Sequence, residues 1–256
     1  MANQISEATW SQLSELIAAR MGLHFPPERW DDLKRGLAGA AQESGFEDAA
    51  KYADRILSAP PSKMQLQALA NHLTIGETYF FRDPQTFDAL TETILPELIR
   101  SRRGRDQRLR IWSSACCSGE EPYSLAILLH QLLPDLQGWQ VSIMATDINP
   151  HFLHKARAGI YGEWSFRNAP AALKQRYFQR TSDGSYAIVP EIRKLVTFAH
   201  LNLVGDDYPT PATHTNAMDI ILCRNVLMYF TRLQADMVIG RLSRTLVEGA
   251  WLAVGP

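Results

Sequence analysis

Residues 111–124 read IWSSACCSGEEPYS. A short apolar run, Leu109, Ile111 and Trp112, leads into small side chains from Ser113 to Gly119. Glu120, Glu121 and Pro122 follow, and then an amphipathic run from Tyr123 to Leu133. This order predicts a strand, a tight turn and a helix carrying Pro122 in its first turn. Small residues let a ligand approach the backbone, and a helix start presents free N–H groups. The two acids argue against a dinucleotide, whose pyrophosphate would sit on those N–H groups and be repelled by carboxylates. They suit a cationic or hydroxyl-bearing ligand, or alternatively complement the helix dipole.

Downstream, strands and helices alternate. Val141–Thr146 is read as a strand ending in Asp147, and Asn149 and Pro150 start a helix that runs to Gly159. Met218–Cys223 is an apolar strand ending in Arg224 and Asn225. Residues 231–247 form a long helix, and Ala250–Val254 a last strand. Such alternation builds a parallel, doubly wound sheet, an α/β fold with right-handed crossovers. Between Ala169 and Val204 the rhythm changes. The turn Ser182-Asp183-Gly184-Ser185 between short β-prone runs predicts a small antiparallel β-subdomain inserted at about 169–204.

Upstream, residues 1–75 carry helix signals only. Trp10, Leu13, Leu16 and Ile17 share one face, closed at Gly22. Pro26 and Pro27 start a second helix with Trp30, Leu33 and Leu37. Phe46, Ala49, Ala53, Ile56 and Leu57 mark a third, ended by Pro60 and Pro61, and Ser62 with Gln65 caps a fourth. An all-α domain over 1–75 and a sheet domain over 76–256 are expected. Between them, Thr74–Asp83 (TIGETYFFRD) packs three aromatics beside one arginine. Either Phe80 and Phe81 plug the core while Arg82 caps a helix, or Arg82 and Thr78 face a ligand. Gln85–Arg100 reads as an amphipathic helix. The six arginines from Arg100 to Arg110 read as a solvated loop in preference to a phosphate-binding run. On the second helix, Arg29, Lys34 and Arg35 form a basic patch diluted by Asp31 and Asp32.

Bulk properties exclude several classes. The 256 residues are 46% hydrophobic, with a net charge of −1 and a pI near 6.7. No global field draws the chain to nucleic acid or to an anionic membrane. No apolar run approaches the roughly 20 residues that span a bilayer. Three cysteines, two of them adjacent (Cys116, Cys117), give neither a disulfide framework nor metal-ligand spacing. The reading is a reduced, cytoplasmic, metal-free protein.

In open α/β sheets, ligands sit at the carboxyl ends of the strands. Those ends here are Ser118–Glu121, Asp147, Asn202-Leu203 and Arg224-Asn225. An acid after the second strand accepts hydrogen bonds from ribose hydroxyls, so Asp147 points to a nucleoside; the helix N-cap role falls to Asn149. A nucleoside site with an acidic first turn suits S-adenosylmethionine, which carries a sulfonium and an amino group but no phosphate. NAD would want several glycines in that turn, and only Gly119 is present.

TYFFRD (78–83), WSSACCSGEEPYS (112–124), ATDIN (145–149), KARAGIY (155–161), RYF (176–178), LNL (201–203) and CRNVLMYF (223–230) together resemble the chemotaxis-receptor methyltransferases, the CheR family. The likeness covers nearly the whole chain. It implies a helical N-terminal domain, a class I S-adenosylmethionine-dependent methyltransferase domain with a Rossmann-like sheet, and an inserted β-subdomain. The implied activity is methylation of glutamate carboxylates on the cytoplasmic helices of methyl-accepting chemotaxis receptors, leaving S-adenosylhomocysteine. Matched position by position, Gly76, Thr78, Arg82, Glu121, Asp147, Asn202, Leu203, Arg224 and Asn225 would bind the cofactor, with Glu120 a neighbour. Asp147 would hold the ribose, Asn202 and Leu203 would flank the adenine, and Arg82 and Tyr229 would serve the methyl transfer. A glutamate carboxylate is already anionic at pH 7, so no general base is required, and no His–acid pair stands out at the strand ends.

The chain also departs from the family pattern. Relatives often carry asparagine where Gly76 stands. The arginines of the second helix, thought to meet the acidic receptor helix, are sparser. The hairpin near Ser182–Ser185 is short, which argues against tethering to a receptor C-terminal peptide. The sheet's terminal β-hairpin would lie beyond Pro256, as in a piece of a longer protein. Two other functions compete. A nitrogen or nucleic-acid methyltransferase lacks the expected Asn/Asp-Pro-Pro-aromatic motif after Met218–Cys223. A non-catalytic regulator binding the cofactor or a signalling nucleotide is kept in play by Gly76 and the missing hairpin.

Overall fold

The computed structural model describes residues 5–205 and 207–255; Pro256, where the expected further hairpin would begin, lies outside them. Four helices open the chain: α1 (Glu7–Met21), α2 (Trp30–Glu43), α3 (Ala49–Ser58) and α4 (Lys63–Leu73). Gly22 closes α1 at φ 79°. The Ser62/Gln65 capping box starts α4 as its sequence predicts. Their apolar faces meet in one buried cluster centred on Leu13, Ile17, Leu33, Leu37, Tyr52, Ile56 and Leu69. The second-helix basic patch is neutralised in place, with Arg29 and Arg35 both paired to Asp32 and Lys34 to Asp31.

Helix α5 (Pro84–Ala89) passes through a π-helical stretch, Leu90–Ile94, into α6 (Leu95–Arg102). The sequence predicts one regular helix here. Pro96 cannot donate to the preceding turn and its ring crowds that carbonyl, and a widened turn accommodates both. The arginine run that follows is not a free solvated loop. Arg102 pairs with Asp219, an acid buried in the sheet, and Arg103 pairs with Asp135 at 2.6 Å.

The main sheet follows: β1 (Arg108–Ser114), α7 (Glu120–Leu132), β2 (Gln140–Asp147) and α8 (Pro150–Ala158). A small sheet interrupts it, built from β3 (Ile160–Tyr161), β4 (Phe178–Arg180) and β5 (Tyr186–Ile188), with α9 (Ala171–Tyr177) between and α10 (Pro190–Arg193) after. Then come β6 (Val196–His200), β7 (Met218–Cys223), α11 (Arg232–Thr245) and β8 (Leu246–Val254). The main sheet has the order β6-β2-β1-β7-β8 and every pairing is parallel. The small sheet has the order β3-β5-β4 and is antiparallel.

The expected insertion at 169–204 needs correcting at both ends. Ile160 and Tyr161 pair with Ala187 and Tyr186, so the small sheet begins in residues too few to show an alternating pattern. Val196–His200 pairs with Ile143–Asp147 and is the edge strand of the main sheet. The last strand also starts earlier than expected. Met218 faces Leu246, but the next partner of β7 is Trp251 opposite Ile220, with Gly249 at φ 73° in the intervening bulge. Only the part from Ala250 reads as a strand in sequence. Among the described residues no helix is long and apolar enough to cross a membrane.

Candidate functional site

The carboxyl ends of β1, β2 and β7 open into one cleft, which the Thr74–Asp83 segment covers from the other side. Its turn after β1 is held by unusual backbone. Ala115 and Cys117 adopt φ 59° and 50°, and Asn225, after β7, adopts φ 55°. Phe81 and Asp83 on the covering segment are also left-handed, at 57° and 64°. Such conformations persist only where surrounding contacts over-determine them, and five residues converge here. Gly119, at φ 94°, lies so close to α8 and Tyr161 that a Cβ would meet Ala156 Cβ at 2.9 Å.

Asp147 is the floor of the polar half. Its Oδ2 accepts the Cys117 N–H and its Oδ1 the Asn149 N–H, each at 2.8 Å. Each oxygen keeps acceptor capacity, and the residue lines the cleft. Burial pushes its carboxyl up to about 6, against the hydrogen bonds from those amides. Asn149 caps α8 as predicted, accepting from His151 and Phe152. Its amide also donates to Ala70 O at 3.2 Å and Thr74 Oγ1 at 2.8 Å, tying α4 to the acid strand end.

Glu121 faces the same cleft. Ser113 donates to its Oε1 at 2.7 Å and Arg224 Nη1 to its Oε2 at 3.0 Å. Burial raises its carboxyl above the usual range, opposed by the Arg224 guanidinium. Arg224 is itself spent: its Nη2 donates to the Arg82 carbonyl at 2.9 Å and pairs with Asp83 at 3.1 Å. It therefore fastens the covering segment to the turn. Glu120 behaves differently. It accepts from Ser118 and from Ser165 at 2.8 and 2.9 Å and does not line the cleft, so it ties the start of α7 to the chain between β3 and β4.

The two readings of the covering segment both hold in part. Phe80 is buried, stacked on Phe166 at 5.0 Å and edge-on to Tyr161 and Phe178 at 4.9 Å. Arg82 caps no helix; its Nη1 donates to the Glu77 carbonyl and it lines the cleft with Thr78. Of the residues expected at the site, Thr78, Arg82, Glu121, Asp147, Leu203, Arg224, Asn225 and Tyr229 line it. Two do not. Asn202 donates its side-chain amide to Arg20 O at 2.7 Å, and the neighbouring Leu201 lines the wall together with Leu203. Gly76 is likewise absent from the lining, and a Cβ there would meet Phe152 Cζ at 2.7 Å.

Residue reading missed the apolar wall, Ile148, Phe152 and Leu201, because those side chains look like ordinary core in sequence. It also assigned no role to Cys116 and Cys117, which line the turn. Burial pushes the Cys117 thiol up to about 12 and the Cys116 thiol well above its ordinary value. Both stay protonated at neutral pH, which removes them as nucleophiles. Two buried carboxylates, an apolar slot and two arginines, one of them paired with Glu121 and Asp83, with no phosphate-friendly turn, fit a ligand bearing a diol, a cation and a flat apolar ring. S-adenosylmethionine meets that description on all three counts.

A sequence profile described as "CheR methyltransferase, SAM binding domain" matches residues 76–256. The chain is 37% identical over 191 residues to chemotaxis protein methyltransferase 2 of Vibrio cholerae, covering 75% of this chain and 65% of that protein. It is 32% identical over 255 residues to the chemotaxis protein methyltransferase of Escherichia coli, covering 98% and 84%. To that of Borreliella burgdorferi it is 29% identical over 253 residues, covering 98% and 88%.

Proposed function

The chain belongs to the CheR methyltransferase family, and from that membership we propose that it esterifies glutamate side chains on the cytoplasmic helices of chemotaxis receptors. The observation that carries this reading is the pairing of Asp147 and Glu121 in one cleft with an apolar wall. S-adenosylmethionine, when bound, supplies a methyl group made electrophilic by its positive sulfur. Asp147 accepts from the ribose hydroxyls with the lone pairs its two amide partners leave free. Glu121, held by Ser113 and Arg224, faces the cofactor's ammonium group. Leu201, Leu203, Ile148 and Phe152 enclose the adenine. Thr78, Arg82 and Asn225 supply the remaining polar contacts.

The substrate glutamate, with an ordinary pKa near 4.3, arrives as a carboxylate and needs no base. The chain's part is to align and to exclude water. Tyr229, which lines the cleft, positions the methyl, and Arg82 orients the groups around it. The helical domain reaches this point directly: the His24 N–H donates to Tyr229 O at 2.8 Å, and the Arg29 guanidinium lies 5.6 Å from the Tyr229 ring centroid. Receptor choice then belongs to the surface of the helices around Arg29 and affects rate and selectivity. Tethering by a receptor C-terminal peptide is not part of this proposal, since β4 and β5 are three residues each and offer a short edge.

The test is transfer of labelled methyl from S-adenosylmethionine to receptor cytoplasmic fragments, followed by mild base. Label released as methanol supports the ester. Arg82→Ala and Asp147→Ala are each expected to lower transfer by about a hundredfold or more, the scale of lost site electrostatics. Base-stable label would move the assignment to nitrogen methylation. Cofactor binding without transfer to any receptor fragment would favour the non-catalytic regulator.

A further inference from the structure

Outside the cleft, one side chain holds the covering segment at several points. Arg167 closes the single-turn 3-10 helix Glu163–Phe166, in the chain inserted between β2 and β6. Its guanidinium lies 3.8 Å from the Tyr79 ring centroid and 4.4 Å from that of Trp164, and it pairs with the Glu77 carboxylate. Its Nη1 also donates to Trp164 O at 2.9 Å. The same turn grips the segment further: Ser165 O accepts the Phe80 N–H at 2.9 Å, and Phe166 stacks on Phe80. On its other side Ser165 Oγ donates to Glu120 at the start of α7.

The gripped residues Glu77, Tyr79 and Phe80 adjoin the ones that need holding. Phe81 and Asp83 are left-handed without being glycine, so the segment does not keep its own shape. Glu77, Thr78 and Arg82, which lie among them, line the cleft. Arg82 shares two partners with Arg167. It donates to the Glu77 carbonyl and lies 5.8 Å from the Tyr79 ring centroid. A planar guanidinium can stack against two rings while pairing with a carboxylate, whereas an ammonium can do only part of this.

We propose that Arg167 is a positioning residue for cofactor binding, acting through Glu77 and Tyr79 to set Arg82 and Thr78 against the ligand. This rests on the reading of the cleft as the S-adenosylmethionine site. The test is calorimetric titration of the full chain with S-adenosylhomocysteine, for Arg167→Ala, Arg82→Ala and the double variant. Arg167→Ala is expected to weaken binding about tenfold in the native background and less than about twofold once Arg82 is gone, because contacting residues couple where independent ones add. Arg167→Lys, which keeps the ion pair and loses the stack, is expected to fall about threefold. A general loss of stability would give equal effects in both backgrounds. Should Arg167→Ala fail to fold, Trp164→Ala serves, since that ring is 70% exposed; a loss of about threefold that disappears in the Arg82→Ala background is expected. Unchanged binding, or additive losses, would overturn the role of Arg167 alone. Failure of the native chain to bind S-adenosylhomocysteine would overturn the cleft assignment and this inference with it.

Discussion

Asp147 is a buried acid whose value for function runs against its value for folding. Its carboxyl ordinarily titrates near 3.8 and is pushed up to about 6 by burial in the fold. The folded state therefore binds the proton more tightly than the unfolded chain. The resulting stabilisation is complete below about pH 3.8 and is lost as pH rises through about 6. Hydrogen bonds from a ribose diol favour the ionised form instead. Affinity for S-adenosylhomocysteine should be flat above pH 7 and weaken toward about tenfold per unit below pH 6. Asp147→Asn should bind weakly throughout and show a shallower slope. Titration calorimetry between pH 5 and 8 reads both, and an unchanged slope in the variant would place the titrating group elsewhere. Glu121 also shifts upward by burial and contributes in the same sense. At this scale the sequence was informative for acids at strand ends. It was silent on Phe152 and Leu201, whose side chains become site walls only because α8 and the end of β6 face the same opening.

Among the elements, α11 carries the clearest local determinant. Thr231 accepts the Gln234 N–H at 3.3 Å and donates its own N–H back to Gln234 Oε1 at 3.2 Å. Gln234 Nε2 continues to Ala18 O, so the helix start is also a clasp on α1. Thr231→Ala should cost about 1 kcal/mol, seen as a lower urea midpoint at constant slope. A drop in the slope as well would mean that the clasp, and not the cap, had failed. Capping boxes, Pro at helix starts and Gly at helix ends are local chemistry, and the end of α1, the start of α4 and both ends of α8 were legible for that reason, as β7 was from its apolar run. The π-helical stretch, the two-residue β3 and the bulge in β8 were not. The π-helical stretch answers to Pro96 without a periodic signal of its own, and β3 and the bulge exist to satisfy partners distant in sequence, β5 and β7.

The helical domain and the sheet domain meet at the cleft. Ile148 and Tyr229, from the sheet domain, pack against the helical cluster, and Thr74 and Ile75 at the end of α4 line the cleft. A ligand there touches both units. S-adenosylhomocysteine at a hundred times its dissociation constant should add about 2.7 kcal/mol to unfolding and move one cooperative transition. Two calorimetric transitions, with only the later one shifted, would show that the helical domain does not share the ligand's stabilisation.

The sequence by itself determined the alternation of strands and helices, the parallel sheet, the helical N-terminal unit and the acidic turn, because each is written in periodicity, caps and small residues over short spans. Tertiary structure alone decided which side chains share the cleft. It spent Arg224 on Glu121 and Asp83, turned Asn202 toward α1, sent Arg102 to Asp219 and set Arg167 behind Glu77. Those partners lie between 90 and 182 residues apart, and all depend on how separate elements pack. A charge chooses the nearest counter-charge in space, and no local pattern records which one that is.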